Sequence, residues 1–441
     1  MGKKLGLGFI GLIIIGAIYY FTAGSEQITA QMKKQVNTEL TSIQKEGFSV
    51  QEREVKESKE HFVLSFDEPQ KIASFLSRQG VQLNVHDAEL LKGTKIGVDV
   101  NYLPDTYAAV SFDIYPLSFP PMILSMAEND KEKEILLELI KKKTFLTHIA
   151  INKLGNGFKG DMKDIHEVLH GKQTVTLQMQ GFTFSGDIKT QRISAVKEEV
   201  EKLLFLVDDD IAFTLTGIKS DYSHTGNTAY DYTTNYSIDN MQLHNKKSFE
   251  LNAKKFTMHS VSVVQDKLVS GMVKSSIKHI STEEKGKKYA FDDFTFEMKA
   301  TNLDVSAFEK LQHVNVNDEQ AMNALLQTLI SKGVQFEIPT LSIATIEAEG
   351  QKMDGFDLNA KVDIDKSLDV SSTQVNPMAA LSAIDANFNV TLSAGLFGII
   401  AQQPKAMMVL MLFPPKDVNG KKAYNLELKD GKLTVNGMGV N

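Results

Sequence analysis

The sequence predicts an α+β fold: an N-terminal transmembrane helix, then a large body of mostly antiparallel, twisted β-sheet with a few packing helices. Three observations carry this. An uncharged apolar run occupies residues 5–21. Beyond about residue 48, apolar and polar residues alternate with period two in segment after segment, the habit of strands with one dry and one wet face. A few segments of helical period interrupt them, each with helix start and stop chemistry. At 42 % hydrophobic and 23 % charged residues, the 441-residue chain has the balance of a folded protein rather than a disordered one. The expected division is a membrane anchor over 1–24, a juxtamembrane helix over 25–47, and two β-rich halves over 48–206 and 207–441.

The anchor comes first. Seventeen residues of helix span roughly 25 Å, near the lower limit for crossing a bilayer core. Lys3 and Lys4 precede the run and Tyr19, Tyr20 and Phe21 close it. Basic residues favour a cytoplasmic N-terminus and aromatic rings favour the interface, so the body is expected outside the cytoplasm. A cleaved signal peptide is the rival; Ala23 suits its cut, Phe21 does not. Next, Ile28, Met32, Val36, Leu40 and Ile43 recur every three or four residues, a stalk helix that Gly47 closes.

In the body, Val110, Phe112 and Ile114 alternate with polar residues. So do Val175, Leu177 and Met179; Phe294, Phe296 and Met298; Phe356, Leu358, Ala360, Val362 and Ile364; and Phe388, Val390 and Leu392. Asp430-Gly431 between two alternating runs signals a hairpin. Helices are expected over residues 69–79, 130–143, 194–206, 306–312 and 317–332. The third places Val196, Val200, Leu203 and Leu204 on one side, and the last is capped by Asn317 with Gln320. Residues 76–85 and 329–338 match faintly, sharing Leu, Gly, Val and Gln in register. Two related halves, or two independent uses of the same helix-stop chemistry, both account for this.

The formal charge is 48 − 55 = −7, against a general nucleic-acid binder. The absence of Cys excludes disulfides, Cys-ligated zinc and a Cys nucleophile. The sharpest short motif is His166-Glu167-Val168-Leu169-His170, which on a helix would set two zinc ligands on one face with a Glu to activate water. Its context is poor: Lys163 and Asp164 precede it, Gly171-Lys172 follow, and strand patterns flank it, so it reads as an exposed connector. Glu198 or Glu199 would be the third ligand of a zinc hydrolase. Asp208-Asp209-Asp210 lacks the rest of a calcium loop and reads as a solvated turn. Tyr222, Tyr230, Tyr232 and Tyr236, near Asp221, Asp231 and Asp239, suit a sugar or cation grip or, more simply, half-wet strands. No catalytic residue and no cofactor is assigned.

The anchor, the strand-built body, residues 325–338 running into Pro339-Thr-Leu-Ser-Ile343, and the end Gly431-Lys-Leu-Thr-Val-Asn-Gly437 together resemble the YdgA-like bacterial inner-membrane proteins, a domain-of-unknown-function family. The resemblance implies a periplasmic body on one anchor and brings no catalytic residues. A non-enzymatic envelope scaffold or binding module is expected, with the membrane, lipid, envelope proteins or a second copy as partners. With 25 Phe, 17 Met and no Trp over one-sided strands, the apolar sheet must be closed by helices or a second sheet, or left as a groove for acyl chains.

Overall fold

The computed structural model describes residues 28–78, 89, 91–120, 124, 130–189, 192–246, 248–311, 318–373, 380–403, 410 and 412–440. Its contacts divide the chain into two compact units, one ending at His224 and the other beginning at Thr225.

The first unit opens with α1 (Ile28–Lys45). Of its expected stripe, Met32, Val36, Leu40 and Ile43 are buried. Gly47 stops the helix at φ 98, where a Cβ would meet the Glu68 carbonyl at 2.7 Å. Next come β1 (Phe48–Val55), β2 (Lys59–Phe66), α2 (Pro69–Arg78), β3 (Lys95–Tyr102), β4 (Ala108–Ser118), α3 (Asp130–Lys141), β5 (Thr147–Asn152) and β6 (Gly157–Met162). These six strands pair antiparallel in sequence order. Then follow β7 (Ile165–His170), β8 (Thr174–Gln180), β9 (Thr183–Lys189), β10 (Arg192–Val207) and β11 (Ile211–His224). β9 bonds β6 on one side and the first half of β10 on the other; β8 takes the second half of β10 and carries β7 beyond it, while β11 lines the opposite edge of β10. α1 and α2 cover one face of β1–β6. There Phe48 meets Phe66 and Phe75 edge-on, with centroids 4.9 and 6.1 Å apart. Each such fully buried side chain contributes about 1.5–3 kcal/mol.

The second unit is an antiparallel meander: β12 (Tyr232–Asn245), β13 (Phe249–Gln265), β14 (Leu268–Glu284), β15 (Lys287–Asp304), α4 (Val305–Leu311), α5 (Glu319–Leu329), β16 (Val334–Ala348), β17 (Gln351–Ile364), α6 (Val370–Thr373), β18 (Ile384–Leu392), α7 (Ala394–Ala401), β19 (Lys416–Val418), β20 (Lys421–Lys429), β21 (Lys432–Val435) and β22 (Met438–Gly439). Each strand pairs with the next, except that β18 pairs with β20 and the short β19 also lies on β20. Two-residue turns with both φ values positive join the strands at Asp266-Lys267, Lys285-Gly286, Glu349-Gly350, Asn419-Gly420 and Asp430-Gly431, the geometry that matches strand twist. Its largest cluster of buried side chains lies at one end of the strands, where Val269, Leu303 and Val334 meet Ile330 and Leu368 with α4 and α5 behind them; Ile238, Ala253 and Ala360 are buried farther along.

The α+β expectation is overturned. Strands dominate both units, and among the described residues only three helices exceed ten residues. The apolar residues 5–21 lie outside the described residues, and no described helix is long and apolar enough to cross a membrane. Residues 194–206, expected to be a helix, form most of β10. Neighbouring strands pair with both of its edges, and that pairing outweighs the helix propensity of its Lys and Glu residues. The helices expected from 69, 130, 306 and 317 are found, the last starting at Glu319 behind its cap Asp318, whose carboxylate accepts the Ala321 N–H at 3.0 Å. Most of the 76–85 half of the faint repeat lies outside the described residues.

Candidate functional site: an open apolar sheet face

The register of the second unit sorts its side chains onto two unlike faces. One row of cross-strand partners reads Tyr236, Met258, Ser275, Phe296, Leu341, Leu358, Val390 and Tyr424 over eight strands. The adjacent row, one residue along each strand and so on the opposite face, reads Ser237, Thr257, Ser276, Thr295, Ser342, Asp357, Thr391 and Ala423. The polar face belongs in water. The apolar face does not, yet every residue of its row is only half-buried, and Met298 and Phe388 on the same face count as exposed. α4 and α5 cover the end around Val269 and Leu303, and α7 touches the other end at Met353. Between them Ile238, Phe256, Ile277 and Phe294 stand side by side, the first buried and the other three half-buried, and Ile343 and Phe356 pair half-buried beside them.

Changes of phase made in step by neighbouring strands, without a shift of register, keep this face apolar over such long strands. Phe291 and Phe294 lie three apart, so strict alternation would put them on opposite sides. Asp293, at φ 54, marks the change of phase. Lys255, at φ 55, does the same between Ala253 and Phe256. Lysine–carboxylate pairs mark both places: Lys255 to Asp239 and Lys278 to Asp293, each 2.6 Å. On β17 the corresponding step is Gly355, where a Cβ would collide with the Ile343 carbonyl. The Tyr424 hydroxyl is buried on the apolar face with no hydrogen-bond partner among the described residues, and burial raises its pKa.

The residues singled out by motif are arranged otherwise. His166-Glu167-Val168-Leu169-His170 is strand β7, not a turn of helix or a loop. His166 and His170 are exposed on one side, about 13 Å apart at strand rise, too far to share one ion. Glu167 points the other way and accepts from Lys142 Nζ at 3.1 Å and Thr144 Oγ1 at 3.2 Å, tying the end of α3 to β7. Glu198 and Glu199 are consecutive in β10 and face opposite ways; burial among Phe184 and its neighbours raises the Glu198 pKa against a hydrogen bond from Ser220, while Glu199 pairs with Lys219 at 3.5 Å. No group of three metal-binding side chains occurs among the described residues. Asp208 and Asp209, at φ 51 and 52, form the β10–β11 turn, and Asp208 accepts the Thr174 N–H at 2.7 Å. The tyrosines separate: Tyr222 lies on β11, Tyr232 and Tyr236 on β12, and Tyr230 packs edge-on against Phe308 at 5.5 Å. Asp231 is buried. Desolvation opposes its charge, but bonds from Val264, Thr228 and Asn227 hold its carboxyl below the usual range.

One polar array was not visible in the sequence. Register sets His61, Asp99, Asp113 and His148 in a row across β2–β5. His61 Nδ1 lies 2.6 Å from Asp99 and His148 Nδ1 2.7 Å from Asp113, and Lys143 stands 3.9 Å from Asp99. The two imidazoles and the Lys143 ammonium thus flank two carboxylates placed directly opposite each other. The bond to Asp113 raises the His148 pKa; burial pushes the Tyr115 phenol up to about 12, helped by its bond to Asp99. The row borders a polar pocket of ≈ 300 Å³ lined by Lys56, Lys59, Glu60, His61 and Asp99 among others. Its walls carry both signs of charge, which suits a small polar guest and not an acyl chain.

Comparison with curated proteins and with solved structures gives no match. The family model described as a bacterial protein of unknown function, DUF945, matches residues 122–441, which takes in the whole second unit with its open apolar face. The chain belongs to this DUF945 family.

Proposed function

We propose that this is a non-enzymatic binding module of the bacterial cell envelope, resembling the YdgA-like inner-membrane proteins, whose second unit holds acyl chains against its apolar sheet face. The observation that carries the reading is the row from Tyr236 to Tyr424, a band of carbon surface eight strands wide that is only half-buried. Large uncovered apolar areas mark binding surfaces rather than ordinary protein exterior. A flexible, uniformly apolar occupant suits this one, because its side chains, Ser275 apart, are aliphatic or aromatic and present few fixed polar groups that a structured partner would have to match. The charge-free residues 5–21 behind Lys3 and Lys4 favour attachment to the inner membrane with the body on its periplasmic side.

The test is chemical. The full chain is purified in mild detergent and its extract is read for phospholipid by mass spectrometry. Stoichiometric phospholipid, lost when Phe296 and Leu358 are both changed to Asp in a protein that keeps its β-type circular dichroism, is the expected result. Lipid-free protein of undiminished stability sinks the reading, and so does a stable dimer that buries the same face.

A further inference from the structure

The second unit carries one helix that its own fold leaves outside. α7 follows β18 directly, and Ser393 fixes its start. That hydroxyl accepts the Leu396 N–H at 3.2 Å and donates to the Asp354 carbonyl, and the Ser393 N–H bonds the Gly355 carbonyl at 3.1 Å. Gly395 rests near Met353. Beyond this anchored end the helix reads Leu-Phe-Gly-Ile-Ile-Ala, with no polar side chain on any side. A helix apolar all round belongs in a protein interior or in a membrane. Yet no residue of α7 is buried, and Ile399 is 43 % exposed. Leu412, farther along, is 65 % exposed.

Lysines stand beside this helix. Residues 414–423 contain Lys416, Lys421 and Lys422; Lys422 pairs with Asp417 at 2.6 Å and Lys421 lies 3.9 Å from Asp357, which leaves an excess of positive charge. Lys422 Nζ lies 5.8 Å from the ring centroid of Phe397, which joins the basic ribbon β19–β20 to the apolar helix. An apolar wedge rimmed by lysines is the chemistry of a segment that enters the headgroup layer of an anionic bilayer. A second copy of the chain is a poorer occupant, since a two-fold contact through α7 would bring like lysines together.

We infer that α7 and its lysine rim form a docking tip that inserts into the surface of membranes carrying anionic phospholipid. The tip does not depend on the acyl-chain reading, because it engages a bilayer whether or not the sheet face is filled. The chain has no native Cys, so Ile399→Cys can carry a single polarity-sensitive dye on the full chain. Vesicles of phosphatidylcholine with phosphatidylglycerol are expected to shift the emission to the blue with a several-fold rise in intensity. Phosphatidylcholine alone gives a weaker response, as does Lys416→Glu combined with Lys421→Glu. A dye at Asp385→Cys, exposed on the polar face, stays water-like. A water-like signal at position 399 while residues 5–21 hold the chain on vesicles overturns the inference. So does a blue shift that grows with protein concentration in the absence of vesicles, which marks a second copy instead. Absence of co-purified phospholipid defeats the acyl-chain reading and leaves this signal unchanged.

Discussion

Phe388 separates an open sheet face from a closed core. It stands on β18 between its register partners Ala360 and Leu426 and is 37 % exposed. Full burial of such a side chain contributes about 1.5–3 kcal/mol, and with nearly two-thirds of Phe388 covered, Phe388→Asp loses about 1–2 kcal/mol while the new carboxylate keeps its water. Val269, on the same face but 3 % exposed under α4 and α5, is the control. Val269→Asp strands a charge in packed surroundings and is expected to cost more than about 4 kcal/mol. Urea unfolding followed by circular dichroism, run on detergent-purified full chain, gives both numbers, and phospholipid content is measured on the same samples. The expected result is that Phe388→Asp remains folded and loses lipid, whereas Val269→Asp unfolds the second unit. Equal, large losses for the two would mean that the face around Phe388 is closed in solution, and the reasoning from exposure fails.

Two further predictions concern the first unit. The Glu60 side chain is fully buried and accepts from Arg53 Nε at 2.6 Å and Tyr102 Oη at 2.8 Å, so Glu60→Ala leaves both donors unanswered and is expected to cost about 3–5 kcal/mol by urea unfolding. Because the bond to Asp113 raises the His148 pKa above its unfolded value of 6.5, its contribution is complete below pH 6.5 and fades as pH rises through the higher folded value; His148→Gln should flatten the stability profile just above pH 6.5, and an unchanged slope there would show that the pair does not form.

Several elements could be read from the sequence because their signals are local. The alternation at Val175, Phe294, Phe356 and Phe388, the Asp430-Gly431 turn and the α1 stripe each depend on neighbours in the chain. The misread segment, 194–206, is one where local pattern is ambiguous: Val196, Val200, Leu203 and Leu204 satisfy a helical stripe, and only the strands on both edges of β10 decide against it. The change of phase had a signal that a strict period-two reading passes over, the three-residue step from Phe291 to Phe294. The His61–Asp99–Asp113–His148 row had none, since its members are brought together by register across four strands. The His166–His170 motif misleads for the converse reason: spacing that joins two ligands on a helix pulls them apart on a strand.

The meander of the second unit has a consequence for how such chains lengthen. Each long strand from β12 to β18 bonds only to its neighbours, so its stability is close to a sum of nearest-neighbour terms, as in a solenoid. Adding or deleting one hairpin with a two-residue turn preserves the sidedness of every other strand and changes only the width of the array. Capacity on the carbon side is therefore adjustable in whole-hairpin increments, with no redesign of the ends that α4, α5 and α7 occupy.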